Sequence, residues 1–343
     1  MIDKRHFGRR AADFRHRLEL SQAGLAERLG VSAQAVSKWE TGAALPDIEL
    51  LLELSRLYGV SVNELLEDNA LLGCIASRTF EEKGGVAYFM PPESDLECLR
   101  WEEDMRREGW IARNWRDAWH QPGGWAGSEY GRNFVGERNR PDDLRIGRRI
   151  ADLGGVILDI GSGPGGGYMP FILQADPAAR IIVSDRSRVA VEEWKRFLDR
   201  ELDSPYVYYA AMDFCDIPFR SCTVDVISDH GGIINCIGDR SAALRECWRV
   251  LRPGGTLVSL NSFVTRETLA SLPDDARRAL LREYPFISDS LYEDTVLAGF
   301  RKIDSEAAGS WSTEEDRDSS IAGFARSLGI TIEFTQYIRF CEK

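Results

Sequence analysis

Three glycines, Gly161, Gly163 and Gly165, follow the apolar run 156–160 directly, and one acid, Asp159, stands just ahead of them. Glycines at the end of a strand let the backbone turn sharply and come close to a ligand. Asp185 ends a second apolar run 24 residues after Gly161, the place for a carboxylate that grips ribose hydroxyls. The spacing alone leaves the cofactor open, because Gly161, Gly163 and Gly166 also satisfy the dinucleotide fingerprint. A second group is Ser228-Asp229-His230-Gly231-Gly232, after another apolar run. His230 is the candidate general base there, since imidazole titrates near neutral pH; a loop histidine with no proton to move is the other reading. Cys236 reads as a small buried residue rather than a nucleophile. The seven cysteines have no CxxC spacing and the four histidines neighbour no cysteine cluster. Reduced thiols in a cytoplasm, and no metal site, are therefore expected.

The elements that must position these residues alternate. "VILDIG", "ARIIVSD", "VYYAAMDF", "VDVISD" and "GGTLVSLNSF" read as strands, with helical stretches between them at 188–202 and 241–251. This predicts a Rossmann-like doubly wound α/β sheet. Three segments then resemble class I S-adenosylmethionine-dependent methyltransferases. Residues 156–167 are similar to the first motif of that family, with Asp159 as its acid. "MDFCDIPF" (212–219) resembles the segment after the third strand, and "ECWRVLRPGGTLVSLN" (246–261) the helix, turn and fifth strand. The resemblance covers about residues 141–310. It implies S-adenosyl-L-methionine as cofactor, held by Asp159, Gly161, Gly163, Gly165 and Asp185, with Asp213 and Phe214 at the adenine. It also implies that the final stretch "GITIEFTQYIRFCEK" adds an antiparallel strand. Asp225 reads as architectural and Asp216 as a turn cap.

Residues 21–66 read as short helices with tight joints. Ser21, Ser32 and Asp47 are predicted N-caps, and Gly30 a left-handed stop. Leu25, Ala26, Leu29, Val36 and Trp39 are expected inside, as are Ile48, Leu51, Leu54, Leu57 and Tyr58. Two short helices joined by Gly-Val-Ser describe a helix-turn-helix, and the whole module resembles the Cro/Xre phage-repressor family. One departure is Gly24, where that family carries a helix former. The resemblance implies that Ala33, Gln34, Ser37 and Lys38 face base edges or phosphates. It also implies that Gln22 lies against the DNA backbone and that Arg15 meets a phosphate. Gln can pair bidentately with adenine, Ala can meet a thymine methyl and Lys neutralises phosphate. From Asp3 to Arg17 six basic residues face two acids, on a chain whose net charge is −12. The basic stretch suits DNA bound at one face only, a solvated helix surface being the other reading, and the net charge argues against a protein that coats nucleic acid. A homodimer on two half-sites is expected.

The chain thus divides into a helix-turn-helix domain (1–69), a linker and tryptophan-rich helical cap (70–140) and a methyltransferase domain (141–343). Within the middle part "VAYFM" (86–90) reads as a short strand. Five of the nine tryptophans fall between 101 and 125, as the packing face of a helical cap. Residues 121–139 read as a glycine-rich lid. No run of eighteen apolar residues occurs and the start is charged, so neither membrane insertion nor secretion is expected. Amino-methylating DNA enzymes use an Asp/Asn-Pro-Pro-aromatic motif; here the one Pro-Pro is Pro91-Pro92, between Met90 and Glu93. No cysteine follows a proline, as cytosine C5 enzymes require. The expected acceptor is a small molecule or a protein. A non-catalytic repressor that senses S-adenosylmethionine or another metabolite is the alternative.

Overall fold

A computed structural model describes residues 4–18, 20–60, 62–66, 70–76, 80–90, 102, 111, 115, 119, 140–202, 204, 206–234, 236, 239–284, 287–288, 290–314 and 320–343. The backbone divides into two compact units, Met1–Gly73 and Cys74–Lys343.

The first unit is helical: α1 (Lys4–Arg17), α2 (Gln22–Leu29), α3 (Ala33–Glu40), α4 (Ile48–Tyr58) and α5 (Val62–Leu66). The predicted caps form. Ser21 Oγ accepts from the Gly24 amide, Ser32 Oγ from Ala35 and an Asp47 oxygen from Leu50. Each bond satisfies an amide that a helix start leaves without a partner. Gly30 ends α2 at φ 66°, a conformation that a Cβ would strain. Phe7, Leu25, Val36, Trp39, Leu51 and Leu54 build the core. Ile48 does not join them, contrary to expectation: it is 76% exposed. It lies in the first turn of α4, roughly 120° around the axis from Leu54 at 3.6 residues per turn. The helices α1 and α3 approach closely at Gly8, where a Cβ would stand 2.4 Å from the Trp39 carbonyl oxygen.

The second unit, reached through α6 (Ala70–Cys74), is built on one sheet. Its strands are β1 (Glu81–Lys83), β2 (Val86–Tyr88), β3 (Val156–Ile160), β4 (Arg180–Asp185), β5 (Val207–Ala211), β6 (Val224–His230), β7 (Leu251–Phe263), β8 (Lys302–Ser312) and β9 (Glu333–Glu342). They lie in the order β1-β2-β5-β4-β3-β6-β7-β9-β8. The stretch from β2 to β7 is parallel, whereas β1, β8 and β9 pair antiparallel. The helices α7 (Arg140–Leu153), α8 (Met169–Ala175), α9 (Arg188–Glu201) and α10 (Arg240–Val250) accompany the parallel strands. All five residues of β3 are buried, as a strand covered on both faces requires. Four further helices follow: α11 (Arg266–Ser271), α12 (Asp274–Glu283), α13 (Ser290–Ala298) and α14 (Ser320–Ser327). The antiparallel strand expected at the end of the chain is β9, which pairs with β7 over Thr256–Phe263. Its second neighbour, β8, was not expected.

The segment read as a linker contributes to this sheet, because Val86 pairs with Tyr209 and extends the parallel edge. Trp115 and Trp119 are buried against Phe171, Trp194 and Phe197, so their role is packing. The lid expected at 121–139, and most of the helical stretch before it, lie outside the described residues. Among the described residues, no helix is long and apolar enough to cross a membrane, and no group of three His, Cys, Asp or Glu side chains is placed to hold a metal.

Candidate functional site

In the first unit, α3 has two faces. Val36 and Trp39 are buried, while Ala33, Gln34 and Lys38 are exposed and Ser37 is half-buried. The four residues expected to meet DNA therefore share the outward side of one helix, with the first turn fixed by the Ser32 cap. Arg15 differs from its expectation. Its Nε and Nη2 donate to the two Glu40 oxygens at 2.6 and 2.9 Å, and its Nη1 donates to the Leu20 carbonyl at 2.7 Å. Only 8% of the side chain is exposed. The guanidinium is turned inward, and three of its five N–H groups are committed to Glu40 and the Leu20 carbonyl. Gln22 Nε2 donates to the same Glu40 carboxylate at 2.7 Å, leaving its second N–H for an outside acceptor. Burial alone would raise the Glu40 carboxyl, but the bonds from Arg15 and Gln22 outweigh it and hold it below the usual range.

In the second unit, the strand order reverses between β3 and β6, the switch point where open α/β sheets bind ligands at the carboxyl ends of their strands. The glycine loop leaves β3 at that point. At Gly161 (φ 62°) a Cβ would meet Gly232 Cα at 3.2 Å and the Phe214 ring at 3.6 Å. The turn after β3, the segment after β5 and the segment after β6 thus close on one place. Gly166 (φ 76°) faces Trp194, which leaves no room for a side chain. Trp194 Nε1 donates to the Gly163 carbonyl at 2.7 Å and pins the loop from α9. Gly165 is buried but has no left-handed φ.

The acids divide by partner. Asp185 Oδ2 accepts from the Gly163 amide at 2.8 Å and Oδ1 from Ser187 at 2.7 Å, which ties the end of β4 to the glycine loop. Burial pushes its carboxyl up against these bonds. Glu102, also buried, accepts from Ser187 Oγ beside it. Asp159 lies inside, accepting from Ser162 Oγ and from Ser228 Oγ (2.8 Å). Burial raises it to about 7 despite those bonds, and Asp229, held by Ser259 and the Ile233 amide, is raised to about 6. Asp213 accepts from the Cys215 amide at 2.8 Å, which turns the chain so that Phe214 faces Gly161. Asp225, read as architectural, accepts from the Val156 amide and from Arg252.

His230 ends β6, with its Cβ 3.2 Å from where a Gly167 Cβ would stand. Its ring meets Tyr168 edge-on at 4.8 Å, and its Nε2 lies 3.8 Å from Asp143 Oδ1 on α7. Burial alone would lower its pKa, but Asp143 and Asp229 outweigh this and raise it. Sequence reasoning missed Asp143, for no motif marks it. Cys236 is buried with its Sγ 3.4 Å from Cys215 Sγ; the hydrogen bond between them and burial push the Cys215 thiol far up, away from nucleophile chemistry.

Residues 13–65 match a family of helix-turn-helix domains, and residues 158–259 match a family of methyltransferase domains. The ubiquinone/menaquinone biosynthesis C-methyltransferase UbiE of Geobacter sulfurreducens is 34% identical over 119 residues, 34% of this chain and 45% of that protein. The transcriptional activator BcrR of Enterococcus faecalis is 38% identical over 66 residues, 19% of this chain and 32% of that protein. The chain therefore spans less than half the length of these curated relatives. Among solved structures, phosphoethanolamine N-methyltransferase 2 of Haemonchus contortus superposes with a TM-score of 0.46 at 17% identity, over 71% of this chain and 60% of that one.

Proposed function

We propose that this chain, which joins a helix-turn-helix domain of the Cro/Xre type to a class I methyltransferase domain, is a DNA-binding regulator that also methylates a small-molecule acceptor. The observation that carries the cofactor assignment is the closing of Gly161, Phe214 and Gly232 on one place at the switch point, with Asp185 tied to the same loop. These residues fit S-adenosylmethionine. Asp185 keeps lone pairs for ribose hydroxyls, Asp213 and Phe214 offer an acid and a ring to adenine, and the glycine loop admits the backbone of a close ligand. When bound, that cofactor supplies an electrophilic methyl group on a positive sulfonium. The acids Asp185 and Asp213 suit a cation better than the pyrophosphate of a dinucleotide, which calls for donors instead. His230, at the end of β6, is the candidate to take a proton from the acceptor.

Calorimetric titration with S-adenosylmethionine, S-adenosylhomocysteine and NAD tests the cofactor. The first two are expected to bind; tight NAD binding overturns the assignment. A metabolite-sensing repressor would bind the cofactor and leave every acceptor unmethylated. The base at His230, with a carboxylate beside it, favours catalysis.

For DNA, the outward face of α3 is the reading surface, and the working species is a homodimer on two half-sites. Gln34→Ala is expected to relax base preference. Lys38→Ala should weaken binding to all sequences and reduce the salt slope by about 1. A gel-shift selection in which both variants behave as the parent removes the DNA-reading role.

A further inference from the structure

The carboxylates around His230 are not equivalent. Asp159 accepts from two serine hydroxyls, and Asp229 from Ser259 and the Ile233 amide, so their oxygens are occupied within the fold. Asp143 is 94% buried, being 6% exposed, and its Oδ2 has no hydrogen-bond donor among the described residues. Its one ionic neighbour among them is His230, at 3.8 Å from Oδ1, beyond hydrogen-bond range. Arg145 and Arg149, on the same helix, reach Glu306 on β8 instead. His230 balances the Asp143 charge only when protonated. While the ring is neutral this buried carboxylate has neither a donor to Oδ2 nor a cation among the described residues, and a ligand that supplies both relieves the cost.

We propose that Asp143 and His230 form the acceptor subsite and that the acceptor is a primary amine, entering as its ammonium ion. This rests on the methyltransferase reading above and names its substrate class. Asp143 pairs with the ammonium through Oδ2. His230 Nε2, facing the same carboxylate, accepts one N–H proton, so that the nitrogen recovers its lone pair and the ring becomes imidazolium. Asp143 and Asp229 stabilise that imidazolium, and the edge of Tyr168 keeps the ring in place. A neutral hydroxyl would give Asp143 a hydrogen bond, but while His230 is neutral and able to act as base only an ammonium also balances the Asp143 charge. A carboxylate or phosphate would meet Asp143 with like charge. With a cationic cofactor bound in the same site, an ammonium acceptor would need a counter-charge, which Asp143 would supply.

The test uses the full chain loaded with S-adenosylhomocysteine and n-propylammonium chloride as probe, with 1-propanol and sodium propionate as matched controls. The ring signals of His230 are followed by NMR and assigned with His230→Gln, which is tractable with four histidines in the chain. Propylammonium is expected to shift them saturably, the controls not, and Asp143→Asn to weaken the response at least tenfold. No response to propylammonium, an equal response to propanol, or a response retained in Asp143→Asn overturns the proposal. The other source of an ammonium is the cofactor itself. If Asp143→Asn weakens S-adenosylmethionine tenfold while leaving the propylammonium response intact, the carboxylate serves the cofactor's amino-acid end and the acceptor subsite is refuted. Failure of the parent protein to bind S-adenosylhomocysteine at all would instead refute the methyltransferase reading.

Discussion

Asp185 ties the end of β4 to the glycine loop of the candidate site. Its two oxygens hold the Gly163 and Ser187 amides, so the carboxylate shapes the glycine loop before any cofactor arrives. Asp185→Ala is expected to weaken S-adenosylmethionine by about 1–3 kcal/mol, the scale of a lost charge-assisted bond. Calorimetry on the folded variant checks this, and unchanged affinity removes Asp185 from the site. The buried pair Asp159 and Asp229 carries a pH dependence. Their folded values, about 7 and about 6, lie above the value of roughly 3.9 for an unfolded Asp. Between those limits the folded chain holds protons that the unfolded chain releases, so stability falls as pH rises from about 4 towards 7. His230, also raised, acts in the same direction from roughly 6.5, its ordinary value, upward. Urea melts of the cofactor-free protein at pH 5 and pH 8 should show the difference, and Asp159→Asn should flatten it.

At the scale of elements, the tie from Arg15 and Gln22 to Glu40 joins α1 and the start of α2 to the end of α3. It fixes the orientation of the helix whose outer face carries Gln34 and Lys38. Removing Arg15 leaves Glu40 buried without its cation, and Arg15→Met should destabilise this unit by about 3–5 kcal/mol. A thermal melt measures the loss; a variant as stable as the parent contradicts the assigned role. Because Glu40 lies below its ordinary value in the fold, the stability it contributes is complete above that ordinary value. It is lost as pH falls through the lowered one. DNA affinity should decline with the tie, because α3 loses its fixed angle.

At the scale of the molecule, each unit closes its own core: Phe7, Leu25, Val36 and Leu54 in one, Ile157, Phe171, Trp194 and Val226 in the other. Residues 1–73 are therefore expected to fold alone, with cooperative loss of helical circular dichroism on heating. A domain of this size is marginally stable, so its midpoint should lie below that of the second unit. A non-cooperative melt would show that the first unit depends on the second for its stability. The functional counterpart is a titration of operator DNA with and without saturating S-adenosylmethionine. If the cofactor changes DNA affinity, DNA must change cofactor affinity by the same factor, typically 5–150-fold. Identical constants mean that the two units work independently.

The local signals were legible in the sequence. Ser21, Ser32 and Asp47 cap helices because a hydroxyl or carboxylate needs only the amide three residues on. The buried parallel strands announce themselves as mainly apolar runs, and the glycines 161 and 163 mark a sharp turn within one loop. These effects act over a few residues, so spacing encodes them. The tertiary structure alone decided which distant groups meet. Arg15 is basic and lies in a basic helix, yet its charge is consumed by Glu40, which nothing nearby in sequence foretells. Ile48 is apolar and helical but points outward, because the packing of α4 buries only the stripe through Leu51 and Leu54. The edge strand β8 is mostly exposed and lacks apolar alternation; its pairing with β9 makes it a strand. Asp143 meets His230 only because α7 brings it to the end of β6. Such contacts have no fixed spacing, since they depend on how whole elements pack, and packing is settled by the combined shape of surfaces far apart in the chain.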